Sequence, residues 1–123
     1  MDTGTFSVSL NVKDAAKSQA FYEKMGFTVF MGKAEEGWLI MKNGAAVIGL
    51  FQGMLEENGL TFNPGWDQDG QPLKDWQDVR SIREELRSQG VAIQETGGEA
   101  EQGPAWFAVK DPDGNRILFD QHR

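Results

Sequence analysis

Apolar and polar positions alternate over residues 6–12: Phe6, Val8, Leu10 and Val12 share one side, and Ser7, Ser9 and Asn11 the other. A period of two predicts a half-buried strand. The period then lengthens. Ala16, Ala20, Phe21, Lys24 and Met25 fall at helical spacing behind Asp14, whose carboxylate can cap a first turn, and Gly26 supplies a left-handed stop. Strands are predicted over residues 27–31, 38–42 and 46–52, the last two joined as a hairpin through Asn43-Gly44. The first half thus reads strand, helix, three strands.

The same order begins again at residue 60. Ser9-Leu10-Asn11 aligns with Thr61-Phe62-Asn63. A long polar loop over residues 64–76 follows, of a length usually tied to function or disorder. Asp78 caps a second predicted helix with Val79, Ile82 and Leu86 on one face, and Gly90 closes it. A strand is expected over 91–93 and a Gly/Glu-rich turn over 96–103. A second hairpin then turns at Asp111-Pro112-Asp113-Gly114-Asn115, where Pro112 fixes its own φ and Gly114 can take φ > 0. Cap and stop have the same spacing in both halves. Residues 38–42 align with 106–110, and 48–52 with 117–121. The order strand, helix and hairpin, met twice, predicts a tandem repeat. The expected fold is α+β: paired βαβββ modules over 5–52 and 60–121, within one domain of residues 1–123, forming a curved mixed sheet around a cleft with helices on the outer faces.

Composition narrows the chemistry. A hydrophobic content of 39% and a charged content of 25% suit a soluble globular domain. Without cysteine there is neither a disulfide framework nor thiolate chemistry. A net charge of −7 argues against a nucleic-acid backbone as partner and permits cationic ligands. No apolar run is long enough to span a membrane, and residues 1–4 show no signal-peptide pattern, so the expected location is cytoplasmic, away from membranes. No serine has a plausible histidine partner for triad chemistry, and the glycines lack a phosphate-binding spacing ahead of a helix.

Three stretches carry a family resemblance: Ser9-Leu10-Asn11-Val12-Lys13-Asp14, the run from Ser18-Gln19-Ala20-Phe21-Tyr22 to Gly26-Phe27, and Asp111-Pro112-Asp113-Gly114-Asn115. Together they resemble the vicinal oxygen chelate superfamily, which includes glyoxalase I, extradiol dioxygenases, and fosfomycin- and bleomycin-resistance proteins. The resemblance spans essentially the whole chain and implies the paired βαβββ fold, often as a homodimer. It also implies metal-ligand positions, which fall here on Ser7, Gly49, Gly59 and Leu118. None of the four can donate as imidazole or carboxylate does. His122, the only histidine, is expected to be a solvated tail residue. Asp120 shares a face with Leu118, and Asn11 with Ser7, but a Mg²⁺-like site built from Asp120 and amide oxygens has too few carboxylates.

Alternation places the rest of a candidate site. Trp38 and Trp106, related by the repeat, are expected to face the cleft with Ser7, Ser9, Asn11, Phe51, Asn63, Leu118 and Asp120. The long loop adds Trp66 and its acids, which are expected to close over the mouth. The reading that follows is a metal-free, cofactor-free protein that binds or sequesters a small molecule, aromatic or cationic, as the bleomycin-resistance branch does. The alternatives are a metal-dependent lyase, transferase or dioxygenase of the superfamily, and a degenerate module whose surface serves a protein partner.

Overall fold

The computed structural model describes residues 1–98 and 100–123. The chain gathers into two compact units, residues 7–59, and residues 1–6 together with 60–123. Its fold is α+β, with the βαβββ order met twice along the chain. No helix among the described residues is long and apolar enough to cross a membrane.

In the first unit β1 (Thr5–Val12) leads into α1 (Ala15–Glu23), followed by β2 (Thr28–Lys33), β3 (Trp38–Asn43) and β4 (Ala46–Gln52). A single 3-10 turn, Ala34–Glu36, precedes β3. Strand order is β2-β3-β4-β1, with β4 antiparallel to β3 and parallel to β1. One register row runs Leu10, Leu50, Leu39, and Ile48 pairs with Met41. These side chains form the core with Ala15, Tyr22 and Phe27. The Asp14 side chain accepts from Lys17 N at 3.1 Å, as a helix cap does. The helix does not bury the stripe expected of it: Ala16 and Ala20 are exposed, and Phe21 and Met25 are each 56% exposed. The inward face is instead Ala15 and Tyr22, seven positions apart, which is two turns. In the predicted strand over 27–31, Phe27 packs into the core and the ladder starts at Thr28, with a bulge between Val29 and Met31.

In the second unit β5 (Gly59–Asn63) is followed by α2 (Val79–Ser88), β6 (Glu95–Gly97), β7 (Ala105–Lys110) and β8 (Arg116–Gln121). Strand order is β5-β8-β7-β6. Val79 and Ile82 of α2 meet a run of rings, with Phe107 on Phe119 at 4.7 Å and Phe119 on Phe62 at 5.4 Å between centroids. Burying such rings contributes roughly 1.5–3 kcal/mol apiece. Residues 91–93 are not a strand. Val91 and Ile93 pack against this core, but ladder bonds to β7 begin only at Gln94 N, which donates to Ala108 O at 2.9 Å. Their alternation reports burial rather than pairing. The expected turn over 96–103 gives up Thr96 and Gly97 to β6, and Glu99 within it lies outside the described residues. The turn at Asp111 closes on its own side chain, which accepts from Asp113 N and Asn115 N, each at 2.9 Å, while Gly114 sits at φ 86. Hydrogen bonds from Asn115, first its side chain and then its backbone, hold the Asp111 carboxyl below the usual range.

A glutamine at the end of each module's last strand reaches back to the start of that module's helix. Gln52 Oε1 accepts from Ala15 N at 2.8 Å, and Gln121 Oε1 from Val79 N at 2.7 Å. Each thus satisfies a first-turn N–H that the helix itself cannot. Gln121 is 1% exposed, and its Nε2 also meets Asp78 Oδ2, Gly103 O and Arg123 O at 3.0–3.1 Å. Gln121→Ala is expected to destabilise by about 1–3 kcal/mol, because it strands buried polar groups. At Gln52, an exposed residue, the alanine change should cost about 1 kcal/mol or less, since water can replace the amide. Urea unfolding midpoints check this, and equal costs at the two positions would contradict it.

Candidate ligand-binding site

In the first unit, the face opposite the core carries the residues singled out by alternation. Asn11, Phe51 and Trp38 form one row across β1, β4 and β3, and Ser9, Gly49 and Ile40 form the next. Residues paired in register share a face, so these side chains are neighbours. Ser7 follows two positions before Ser9 on the same strand and is buried. Glycines shape this face. A Cβ at Gly49 would lie 2.6 Å from Phe51 Cε2 and 3.2 Å from Ile40 Cδ1, so the Phe51 ring covers that position. A Cβ at Gly32, at φ +81, would lie 2.9 Å from Trp38 Cε3, so the indole rests on the neighbouring strand.

The second unit repeats the device. Trp106 pairs with Gly97 on one side and Asp120 on the other, and Ala108 pairs with Leu118. A Cβ at Gly97 would collide with Trp106 Nε1. Asn63 Nδ2 donates to Asp120 O at 2.8 Å, tying β5 to β8 beside the carboxylate.

Two residues take places other than those expected. His122 is no free tail residue: its Nε2 lies 3.3 Å from Asp120 Oδ2, and its ring stacks on Trp66 with centroids 5.1 Å apart and planes 15° apart. The signal was present in the sequence, since Leu118, Asp120 and His122 continue one alternation. The loop carrying Trp66 is bonded to residues outside it at several points. Gln68 accepts from Phe6 N and donates to Phe6 O, at 2.9 and 2.7 Å. Arg123 donates to Gly65 O and Leu73 O, both at 2.8 Å, and its guanidinium lies 4.5 Å from the Trp76 ring centre. Trp66 stands face to face with the imidazole.

The hydrogen bond that His122 donates to the Asp120 carboxylate raises the His122 pKa above its ordinary 6.5, outweighing burial, which pulls the other way. The chemistry on offer is indole faces, one carboxylate and one imidazole. A metal fits poorly. Phe51 fills the space above Gly49, Leu118 is apolar and Gly59 has no side chain. Among the described residues no three His, Cys, Asp or Glu gather in a group able to hold an ion.

Comparison with solved structures shows the fold. A Legionella pneumophila structure described as an NAD-dependent benzaldehyde dehydrogenase matches with a TM-score of 0.71 at 18% identity, covering 96% of this chain and 99% of that one. Methylmalonyl-CoA epimerase from Mycobacterium tuberculosis matches at 0.65 and 16%, covering 100% and 93%. A glyoxalase/bleomycin resistance protein/dioxygenase superfamily member from Vibrio splendidus 12B01 matches at 0.62 and 16%, covering 94% and 97%. At such identities the likeness is one of fold, the glyoxalase-like fold. None of the curated proteins compared with the chain matches it. The family model for the Glyoxalase/Bleomycin resistance protein/Dioxygenase superfamily matches residues 5–119, and the chain belongs to that superfamily.

Because His122 is the only histidine, its ring signals in a proton NMR titration are unambiguous. The midpoint is expected above 6.5 in wild type and lower in Asp120→Asn. A raised folded-state pKa means the contact stabilises fully below the unfolded value and is lost as pH rises through the folded one. Wild type should therefore lose stability relative to Asp120→Asn on going from mildly acidic to mildly alkaline pH. Unchanged midpoints in the variant would mean that the pair does not form in solution.

Proposed function

We propose that the protein binds a small, flat, partly apolar organic molecule, cationic rather than anionic, without a metal. The observation that carries this is Phe51 lying over Gly49: the position where the superfamily implies a ligand is covered by an aromatic ring. Leu118 supports it by presenting an apolar side chain beside Asp120 on the second unit's face. Indole faces attract cations and stack on flat rings, contributing about 0.5–2 kcal/mol per good contact. A net charge of −7 favours the approach of cations, most at low salt. A cytoplasmic location and a homodimer belong to the same proposal. Exposed Phe21 on α1, Met25 in the turn after it, and Val29, Phe30 and Met31 on the edge strand β2 support self-association. Sedimentation at micromolar concentration tests it, and a monomer alone would rule it out.

The main test is a tryptophan-fluorescence titration against aromatic cations and matched anions, in wild type and in Trp38→Ala, Trp106→Ala and Asp120→Asn. Cations are expected to quench and anions not to, with at least one substitution weakening binding about threefold to thirtyfold. Anions binding as well as cations, or affinity indifferent to all three changes, would sink the reading. Metal analysis of chelator-free protein should show well under one equivalent. Stoichiometric metal that is lost in Asp120→Ala would favour the metal-dependent lyase, transferase or dioxygenase instead.

A further inference from the structure

The Asp120 carboxylate already has a partner within the protein, an imidazole that is a cation when protonated. His122 Nε2 sits 3.3 Å from Asp120 Oδ2, with the side chains 48% and 32% exposed, so an incoming molecule can reach both. Stacking on Trp66 keeps the imidazole plane in place whether or not it is charged. The neutral ring keeps its proton on Nε2 against the carboxylate; when a donor enters and the proton sits on Nδ1 instead, the Nε2 lone pair and the carboxylate are two neighbouring acceptors for it. A molecule with two or more N–H donors on a positive centre satisfies both acceptors at once. A quaternary cation satisfies neither. Trp106, paired with Asp120 on the adjacent strand, offers a surface for a flat body.

We propose that His122 selects what Asp120 binds: the site takes an N–H-bearing organic cation of the aromatic amidinium or amine class, in exchange for the imidazolium proton, which leaves to solvent. The inference rests on the small-molecule reading above and adds to it the donor chemistry of the ligand and its competition with a proton. The other charged groups on the Trp66 loop and at the chain end are Arg123, Asp67, Asp69, Lys74 and Asp75. The Arg123 guanidinium lies on Trp76 and on the Gly65 and Leu73 carbonyls. The Asp67 carboxylate accepts from Asp69 N and Gln71 N, and Lys74 and Asp75 are exposed. From β5 and β7 the nearest contributions are the neutral Asn63 and Trp106.

The probe is benzamidine, with phenyltrimethylammonium and benzamide as controls, titrated by calorimetry into wild type and His122→Gln from pH 5.5 to 8.5. Two buffers of different ionisation enthalpy at each pH count the protons released. Below the His122 midpoint, benzamidine affinity for wild type is expected to fall about tenfold per pH unit with release of about one proton, and to level off above it. His122→Gln should bind with no pH dependence over this range. Phenyltrimethylammonium should bind wild type at least about tenfold more weakly than benzamidine at pH 8.5, and benzamide likewise, since a lost charge-assisted hydrogen bond is worth that much. Benzamidine binding that is flat with pH, releases no proton, or keeps its pH dependence in His122→Gln would overturn the exchange while leaving the small-molecule reading standing. If the cations bind neither protein at any pH, that reading falls and the exchange falls with it.

Discussion

A helix start exposes N–H groups that its own turns cannot satisfy, and in this protein the remedy comes from the far end of each module. Asp14 and Asp78 cap locally, but the first residue inside each helix donates to a glutamine from the last strand. In the second unit the consequences run further. Burial pushes the Asp78 carboxyl up, yet hydrogen bonds from Arg80 N, from Gln121 and from the Arg80 side chain outweigh it and hold the pKa low. Gln121 also fixes the Arg123 carbonyl, and Arg123 in turn holds the two sides of the Trp66 loop. The stack of Trp66 on His122 is therefore downstream of one buried amide. Loosening that amide would disturb the candidate site through the residues on either side of it, because Asp120 and His122 flank Gln121 in sequence.

Missing side chains shape the open faces as much as present ones. Trp106 lies over Gly97 and Phe51 over Gly49, each ring occupying the space a Cβ would need, while at Gly32 the β3 backbone and the Trp38 indole share that space. A flat aromatic surface on a pleated sheet requires such vacancies, since any larger residue would lift the ring off the strand. The same choice removes chemistry. A glycine under Phe51 cannot ligate a metal, and a carboxylate introduced there would have to displace the ring. Aromatic surface and side-chain metal coordination are thus alternatives at this position, where the Phe51 ring now lies.

Much of this was legible from the residues. Cap-to-glycine spacing and paired hairpins read out the repeat because turn chemistry and alternation are local. Alternation also placed Ser9, Asn11, Trp38 and Phe51 on one face of the first unit, as the register has them. What it missed depends on tertiary choice. Helical spacing in α1 fits two apolar faces, and the one anchored by Ala15 and Tyr22 is buried while Phe21 and Met25 stay out. Val91 and Ile93 alternate because they cover a core, not because they join a ladder. His122 is exposed, as its place near the chain end suggests, but its pairing with Asp120 and its stack on Trp66 depend on tertiary placement. The reach of Gln52 and Gln121 left no local trace at all, since each meets its N–H across dozens of residues.

The two halves diverge most where strand passes to helix. Between β1 and α1 lie only Lys13 and Asp14, whereas residues 64–78 separate β5 from α2. A longer connection adds little closure entropy, so the insertion is thermodynamically cheap to keep. It is nevertheless ordered, by Gln68 on the Phe6 backbone and by Arg123 on Gly65 and Leu73. Gly65 is part of that order: at φ +92, a Cβ there would lie 2.7 Å from Arg123 Cδ and 3.0 Å from Trp76 Cε3. Holding a loop this firmly costs conformational entropy that a passive connector has no reason to forgo. What the ordering delivers is Trp66, face to face with the one histidine. In this duplicated fold the repeat supplies the two tryptophans on the strands, and the departure from the repeat supplies the third, beside the carboxylate and the imidazole.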